Sequence, residues 1–196
     1  MASRKLEDLY EPLKVVLEES LKEADEKDLS VVITCTQRSP EEQEALYAQG
    51  RENLLVVNKK REALGMVRLK AASNRKVTWT LKSYHTCEPK SMAFDFAVGS
   101  KSKIYWDLKA DVNDNEIPDY EEFAKICKSK NPNIEWGGDF KKSKDCPHIQ
   151  WKNGMTINQD EVIAKIEEKE EKKPLGGFTK CLKKVKGSIL KSFRRK

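Results

Sequence analysis

Ser83-Tyr84-His85 and Asp145-Cys146-Pro147-His148 are the two segments around which this chain is organised, and they hold its two histidines. Asp95 follows the first histidine after ten residues. Imidazole nitrogens and carboxylate oxygens are the ligands that hold a catalytic zinc ion when one coordination position stays open for water. The residue types therefore suggest a zinc site made by His85, Asp95 and His148. Asp145 remains as a carboxylate that could accept a proton from the attacking water.

A purely structural role for both histidines is the alternative. The spacing of the three residues matches none of the short-range zinc patterns, because the sequence contains no HExxH, no CxxC and no His-x-His. Ligand types alone therefore leave both interpretations open.

Hydrophobic spacing predicts an amphipathic helix over residues 5–26, a second one from Pro40 to Gly50 behind the N-cap Ser39, and a third over 119–129. Short apolar or alternating runs predict strands at residues 31–34, 77–80, 93–98, 134–138 and 148–151. Residues 52–75 are basic and weakly patterned, which predicts a long loop. Helices that flank a small antiparallel sheet make the expected fold class α+β. Both histidine segments then lie at strand ends or in adjacent turns.

The charge of the chain is unevenly distributed. The formal net charge is +6, but residues 172–196 contain ten basic residues and no acidic one, so residues 1–171 carry a net charge of −4. We therefore predict a globular domain over residues 1–171 and a basic amphipathic tail over 172–196. The tail has apolar residues at helical spacing that are expected to bind an anionic membrane or lipopolysaccharide: Phe178, Leu182, Val185, Ile189 and Phe193. A disordered tail that attaches to wall polymers or nucleic acid is the alternative, and nucleic acid is the less favoured partner.

Five cysteines at irregular spacing give no disulfide framework, and no signal peptide is visible at the start of the sequence. We therefore expect synthesis in a reducing cytoplasm and a monomeric protein. Cys87 and Cys146 each lie two residues from a histidine, but ligation by either thiol, or a disulfide between them, is not favoured. Action outside the cytoplasm would require a separate release route.

Residues 111–122, which we call the acidic loop, resemble the calcium loop of an EF-hand. Oxygen-bearing residues occupy the positions that bind the ion: Asp111, Asn113, Asn115, Asp119 and Glu122. Position 6, where the EF-hand requires glycine, is Glu116, and position 8 is Pro118. The alternative is a polar turn that caps the helix starting near Pro118.

Between residues 30 and 151 the sequence contains, in this order, Thr36–Gln43, Ala45–Arg51, Val77-Thr78, Ser83-x-His85, Ala93–Ala97, Trp136–Phe140 and Asp145-x-Pro147-His148. Together these motifs resemble the VanY-like zinc peptidases, and most closely the L-alanyl-D-glutamate endopeptidases used as phage endolysins. The ordered set is specific, although each motif alone is weak.

The resemblance implies that His85, Asp95 and His148 bind zinc and that Asp145 is the catalytic base. It implies that Arg38 contacts the substrate or stabilises developing charge, with Gln43 and Ser83 as further substrate-binding candidates. The alternative for Arg38 is an ordinary salt bridge. The family usually has seven residues from the histidine to the aspartate, with a glycine between, whereas this sequence has ten and no glycine. We expect this insertion, within Thr86–Met92, to reshape the rim of the cleft more than the metal site.

The function implied by the resemblance is hydrolysis of the L-Ala-D-Glu bond in the peptidoglycan stem peptide, leading to bacterial lysis. Zinc would be the cofactor, and calcium a second ion in the acidic loop. The protein would reach the wall through holin-type release or from outside the cell. The alternatives are a D-Ala-D-Ala carboxypeptidase on the same scaffold and a non-enzymatic, calcium-regulated protein that binds the envelope or nucleic acid.

Overall fold

The computed structural model describes residues 2–100 and 102–157, which belong to one compact unit spanning residues 1–159. Its α-helices are α1 Glu11–Glu26, α2 Pro40–Ala48, α3 Leu54–Ala63 and α4 Asp119–Lys130. Its strands are β1 Val31–Cys35, β2 Ala93–Ser100, β3 Lys103–Tyr105, β4 Ile134–Trp136 and β5 His148–Trp151. The expected α+β class is confirmed. The predicted tail, its five membrane-binding residues and the predicted boundary at residue 171 lie outside the described residues.

The strands form one antiparallel sheet in which β2 is the central strand. β1 pairs along one edge of β2, while β5 and β3 pair with the beginning and the end of its other edge. β4 then pairs with β5 on the outside. The sheet therefore places three residues on neighbouring strands: Cys35 at the end of β1, Asp95 within β2 and His148 at the start of β5.

The core follows from the period of two along β2. Phe96 packs against the rings of Tyr120 and Phe123 on α4, with ring centroids 5.4 and 4.8 Å apart. Phe94 and Phe96 are fully buried on that face. Because neighbouring strand residues point to opposite faces, Asp95 projects from the other face of the sheet, away from the helical layer.

The start of the chain differs from the predicted helix over residues 5–26. The α-helix begins only at Glu11 with Pro12 in its first turn, and residues 6–8 form a short 3₁₀ helix. Proline is tolerated in the first turn of a helix but not further inside it, which explains the break. Leu9 and Tyr10 are nevertheless buried, because the extended segment between the two helices hydrogen-bonds to Ser91.

The second helix is confirmed, with Ser39 and Glu42 forming a capping box at its start. Two other predictions were wrong. Residues 77–80 form no strand in the structure, and Val77 and Trp79 are exposed. Residues 54–63, expected to be loop, form α3, whose N-terminus is capped by the side chain of Asn53. Among the described residues, no helix has both the length and the apolar character needed to cross a membrane.

Candidate metal centre and cleft

Three ligand atoms of the predicted zinc site converge at one point, which we call the metal centre. Asp95 Oδ1 lies 3.1 Å from His85 Nε2 and 2.9 Å from His148 Nδ1, and the two imidazole nitrogens are 3.3 Å apart. In a tetrahedral zinc site with bonds of 2.0–2.1 Å, neighbouring ligand atoms lie about 3.3 Å apart. The spacing and chemistry of this donor set therefore fit a zinc ion.

The sheet explains why these residues meet although they are far apart in sequence. Asp95 on β2 and His148 on β5 are direct register partners, and residues opposite each other on paired strands project from the same face. His85 reaches them from a 3₁₀ turn, Tyr84–Thr86, in which the His85 amide donates to the hydroxyl of Ser83. The backbone carbonyl of His85 also accepts a hydrogen bond from the amide of Arg38. The metal centre is thus held by strands and by a turn fixed at both ends.

The outward-facing nitrogen of each histidine is also engaged. His85 Nδ1 lies 2.7 Å from the carbonyl of Thr36, and His148 Nε2 lies 3.1 Å from Gln150 Oε1. Each of these nitrogens must donate to its oxygen, so that in the neutral form of each histidine the inward-facing nitrogen carries the lone pair that a metal requires. Gln150 in turn donates to Glu135 Oε2 at 2.9 Å. Sequence reasoning missed Gln150, although its place two residues after His148 on one strand puts both on one face.

Arg38 makes the salt bridge that was the alternative to a substrate contact. It donates to Asp95 Oδ2 at 2.7 Å and to Gln43 Oε1 at 3.1 Å. It still lines the cleft, so its remaining N–H groups are not excluded from substrate contact. Gln43 is fully buried behind it and donates to Thr78 Oγ1 and to the carbonyl of Thr80. These bonds engage the Gln43 amide with Arg38 and the cleft wall, and substrate binding by Gln43 stays a prediction.

Cys35 is a neighbour of the metal centre that sequence reasoning did not identify. It ends β1, pairs in register with Asp95, and places its sulfur 3.6 Å from His85 Nδ1. It forms with His85 and Asp95 a group of ligand atoms within 4.8 Å of one another. However, the nearby His85 nitrogen is the one bound to Thr36, and burial raises the pKa of the Cys35 thiol to about 11. We therefore assign the metal to the side of the histidines that faces His148.

The charges of the metal centre favour an ionised carboxylate. Burial alone would raise the pKa of Asp95, but the two histidines, through charge and hydrogen bonds, hold it well below its usual value. Burial lowers the pKa of His85. For His148 the same effect of burial is outweighed by Asp95, so its pKa is raised. Asp95 therefore supplies the negative charge that a divalent cation requires.

Asp145 lines the cleft, and the backbone of Gly137 positions it. The amide of Asp145 donates to the Gly137 carbonyl at 2.9 Å. A Cβ atom at Gly137 would lie 2.3 Å from the Asp145 carbonyl oxygen, so only glycine fits there. Partial desolvation of the carboxyl and the nearby charge of Asp95 raise the pKa of Asp145, while His148 opposes the shift. A carboxyl with a raised pKa beside the metal centre suits a proton acceptor.

The metal centre forms part of the lining of a cleft of about 850 Å³. One wall consists of residues 76–80 and 82–84 and the other of residues 140–145. Of the three predicted substrate-contact residues, Arg38 and Ser83 line the cleft. The insertion Thr86–Met92 contributes no residue to this lining. Instead, Ser91 pairs with Asp8 and Tyr10 in the N-terminal segment. This lining gives no support to the expectation that the insertion reshapes the cleft rim, and the predicted metal ligands meet despite the insertion.

The acidic loop uses most of its oxygens to hold itself together. The Asp111 carboxylate accepts the amides of Asn115 and Glu116, and Asp119 accepts the amide of Val112. Glu122 accepts the side-chain amides of both loop asparagines, Asn113 and Asn115. The group of three His, Cys, Asp or Glu ligand atoms found among the described residues lies at the metal centre, not in this loop. The predicted calcium ion is therefore not supported and stays a prediction.

Cys87 and Cys146, whose pairing in a disulfide was not favoured from the sequence, are free cysteines in the structure. Neither belongs to the group of ligand atoms at the metal centre. The carbonyl of Cys146 instead accepts a hydrogen bond from the indole of Trp136 at 2.8 Å, which anchors the wall that carries Asp145.

Comparisons with known proteins agree with the geometry. A family model described as D-alanyl-D-alanine carboxypeptidase, of the M15 peptidases, matches residues 76–151. This range contains the three residues of the metal centre and Asp145. The peptidoglycan L-alanyl-D-glutamate endopeptidase CwlK of Bacillus subtilis is 35% identical over 127 residues, which cover 63% of this chain. The chain spans 62% of the length of that relative.

Among solved structures, the chain is similar to the L-Ala D-Glu endopeptidase ChiX of Serratia marcescens, with a TM-score of 0.48 and 18% sequence identity. The similarity covers 78% of this chain and 89% of that one.

Proposed function

We propose that the chain is a member of the VanY-like peptidase family and a zinc-dependent endopeptidase that hydrolyses the L-Ala-D-Glu bond of the peptidoglycan stem peptide. The observation that carries the proposal is the convergence of His85 Nε2, Asp95 Oδ1 and His148 Nδ1 within 3.3 Å of one another. The choice of bond is supported by the similarity to the L-alanyl-D-glutamate endopeptidase of Bacillus subtilis.

A zinc ion bound by these three residues would supply a Lewis acid and lower the pKa of its water toward 7. Asp145 would accept the proton of the attacking water at its carboxylate and return it to the departing amine. Arg38 would hold Asp95 in place through Oδ2 and present its remaining donors to the cleft. Ser83 would fix the turn that carries His85 through its hydrogen bond to the His85 amide.

The test is cleavage of purified peptidoglycan by the untreated protein, by protein treated with EDTA, and by treated protein after zinc is restored. We expect muropeptide fragments cut between L-Ala and D-Glu, loss of this activity on chelation and recovery with zinc. Metal content measured on the same samples should rise and fall in parallel, at one zinc per chain. Equal cleavage in all three samples would disprove the zinc-dependent mechanism.

The second candidate is a D-Ala-D-Ala carboxypeptidase, which the description of the matching family model favours. The two activities release different products. A carboxypeptidase liberates free D-alanine, whereas the endopeptidase releases fragments that retain their C-terminal residues. Mass analysis of the products in the same digestion therefore decides between them.

We further propose a lytic role, in which the protein is made in the host cytoplasm and acts on the cell wall after holin-type release or from outside. The basic, amphipathic pattern of residues 172–196 supports binding of that segment to an anionic membrane or lipopolysaccharide. Binding to vesicles of anionic and of zwitterionic lipid, with the full chain and with a chain ending at residue 171, tests this part of the proposal.

Calcium binding by the acidic loop remains the last part of the proposal. Glu116 stands at the EF-hand glycine position and adopts the left-handed conformation, with φ of 68°. Asn113 Oδ1 is buried and has no hydrogen-bond partner among the described residues. These two features support an ion in the loop.

A further inference from the structure

Exposed lysines occur on both walls of the cleft. Lys76 and Lys82 belong to one wall, and Lys141, Lys142 and Lys144 belong to the other. We call these five residues the lysine rim. Lys76 lies 5.8 Å above the ring of Trp79, which also lines the cleft.

The charge of the lysine rim is not compensated within the part of the chain that the structure describes. No ion pair to any of its five ammonium groups is formed there, whereas Lys60, Lys128 and Lys130 elsewhere on the surface contact carboxylates at 2.6–3.1 Å. Of the two carboxylates that line the cleft, Asp95 and Asp145, the first does not offset it. Asp95 is already paired with Arg38 and lies between the histidines. The walls of the cleft are therefore electropositive.

The proposed substrate carries a matching charge. A glutamate residue has two carboxyl groups, and the peptide chain continues through only one of them. The other carboxyl is free, and it lies a few bonds from the nitrogen of the L-Ala-D-Glu amide. When the scissile bond lies at the metal centre, this carboxylate must lie within the cleft, between walls that carry ammonium groups. Amidation of the same carboxyl would remove the charge with almost no change in shape.

We propose that the lysine rim recognises the free carboxylate of the D-glutamate residue and discriminates against stem peptides in which it is amidated. This inference rests on the proposed endopeptidase function. An exposed ion pair alone contributes only about 0–1 kcal/mol, equivalent to a factor of up to about five. Several like charges around a cleft focus the field and raise both association rate and selectivity, and salt weakens the effect.

The experiment compares two synthetic peptides that contain the L-Ala-D-Glu bond and differ only in whether the free D-glutamate carboxyl is an acid or an amide. Cleavage is measured as kcat/KM with the zinc-loaded full chain at low and high salt. Binding is measured separately by calorimetry with the Asp145→Asn variant, in which cleavage is slowed. The test variant is K141Q/K142Q. Its control is K5Q/K59Q, which removes the same charge from exposed lysines that do not line the cleft.

We expect the acid peptide to be cleaved at least about tenfold faster than the amide, with a preference that shrinks in high salt. K141Q/K142Q should reduce the preference by about three- to tenfold, and K5Q/K59Q should leave it unchanged. Equal kcat/KM for the two peptides would overturn the inference and leave the endopeptidase function standing. So would a preference that K141Q/K142Q does not alter.

The binding data separate the remaining outcomes. Tighter binding of the acid peptide that depends on the rim, without cleavage of either peptide, would support the inference and overturn the endopeptidase function. If neither peptide is bound or cleaved, both proposals are wrong.

Discussion

The metal centre and the acidic loop are both rich in ion ligands, but the structure arranges them in opposite ways. At the metal centre the far side of each ligand is bonded to protein. Thr36 holds His85, Gln150 holds His148 and Arg38 holds Asp95, so the near atoms are left facing one another. In the acidic loop the carboxylates accept the amides of the loop itself, and no equivalent outer set of bonds directs them to a common point.

This difference has a physical origin. Ligands on paired strands are positioned by the sheet, so their side chains need not stabilise the backbone that carries them. A loop without strand pairing must satisfy its amides locally, and short carboxylate side chains are the nearest acceptors. A group of potential ligand residues therefore indicates a preformed ion site only under one condition. Other residues must hydrogen-bond to the side-chain atoms of the ligands that face away from the ion.

The largest expected effect comes from removing a metal ligand. His148→Ala deletes one of three ligand atoms, so bound zinc should fall from about one equivalent to none and peptidoglycan cleavage should fall to background. Zinc content by mass spectrometry of the native protein and cleavage of peptidoglycan measure the two effects. Glu122→Gln in the acidic loop is the matched control and should leave both unchanged. Retention of stoichiometric zinc by His148→Ala would show that the metal lies elsewhere.

A smaller loss is expected when the proton acceptor is removed and the metal is kept. Asp145→Asn preserves shape and leaves all three ligands, so zinc should stay bound while kcat falls by about 10²- to 10⁴-fold. Asp114→Asn makes the same chemical change at an exposed position of the acidic loop and should have no effect on kcat. If Asp145→Asn cleaved at the rate of the unmodified chain, Asp145 could not be the base.

The third prediction concerns the outer bonds that distinguish the metal centre from the loop. Gln150→Ala removes the acceptor of the His148 Nε2 proton, so zinc affinity should fall by about 10- to 100-fold. Competition with a chromophoric chelator measures this affinity directly. Gln150→Glu keeps an oxygen acceptor and should recover part of the loss, although the new charge lies beside Glu135. An unchanged zinc affinity in Gln150→Ala would contradict the argument that hydrogen bonds to the outward-facing atoms of the ligands preform the site.

The parts of the molecule that sequence reasoning predicted are those in which local pattern and tertiary structure agree. Phe94 and Phe96 flank Asp95 in β2 because one face of the strand is buried against the helical layer, and α2 carries a complete capping box. The candidate ligand residues were predicted from their residue types and from short sequence motifs. Their outer partners were not, because Gln150 and Cys35 become relevant only once the strand register is known.

The wrong predictions arose where composition and context disagree. Residues 77–80 have the composition of a strand, but a strand requires a partner and this segment forms an exposed wall of the cleft. α3 has few buried apolar residues and was therefore missed. It is held by polar contacts instead: Asn53 caps it, and Asn58 exchanges hydrogen bonds with Leu69 across the following turn. Such polar contacts form only after the chain has folded, so they produce no periodic pattern in the sequence.

The smallest effect is expected in the acidic loop and concerns stability rather than catalysis. Asp119 is fully buried and accepts the amide of Val112 with both oxygens. Asp119→Ala should therefore lower the free energy of unfolding by about 1–3 kcal/mol while kcat at 25 °C stays unchanged. For a domain of this size, each kcal/mol lowers the melting temperature by about 2–4 °C, which calorimetry resolves.

The same variant tests whether the loop becomes an ion site when calcium is supplied. If calcium binds, a concentration of 100 Kd should stabilise the native chain by about 2.7 kcal/mol, and Asp119→Ala should abolish this rise in melting temperature because it removes a ligand. Zinc content must be held constant, so that the shift reports only the loop. A melting temperature that does not respond to calcium would mean that the carboxylate oxygens of the loop stay hydrogen-bonded to its amides and do not bind an ion. The contrast with the metal centre would then be complete, because only one of the two ligand-rich segments would bind a metal.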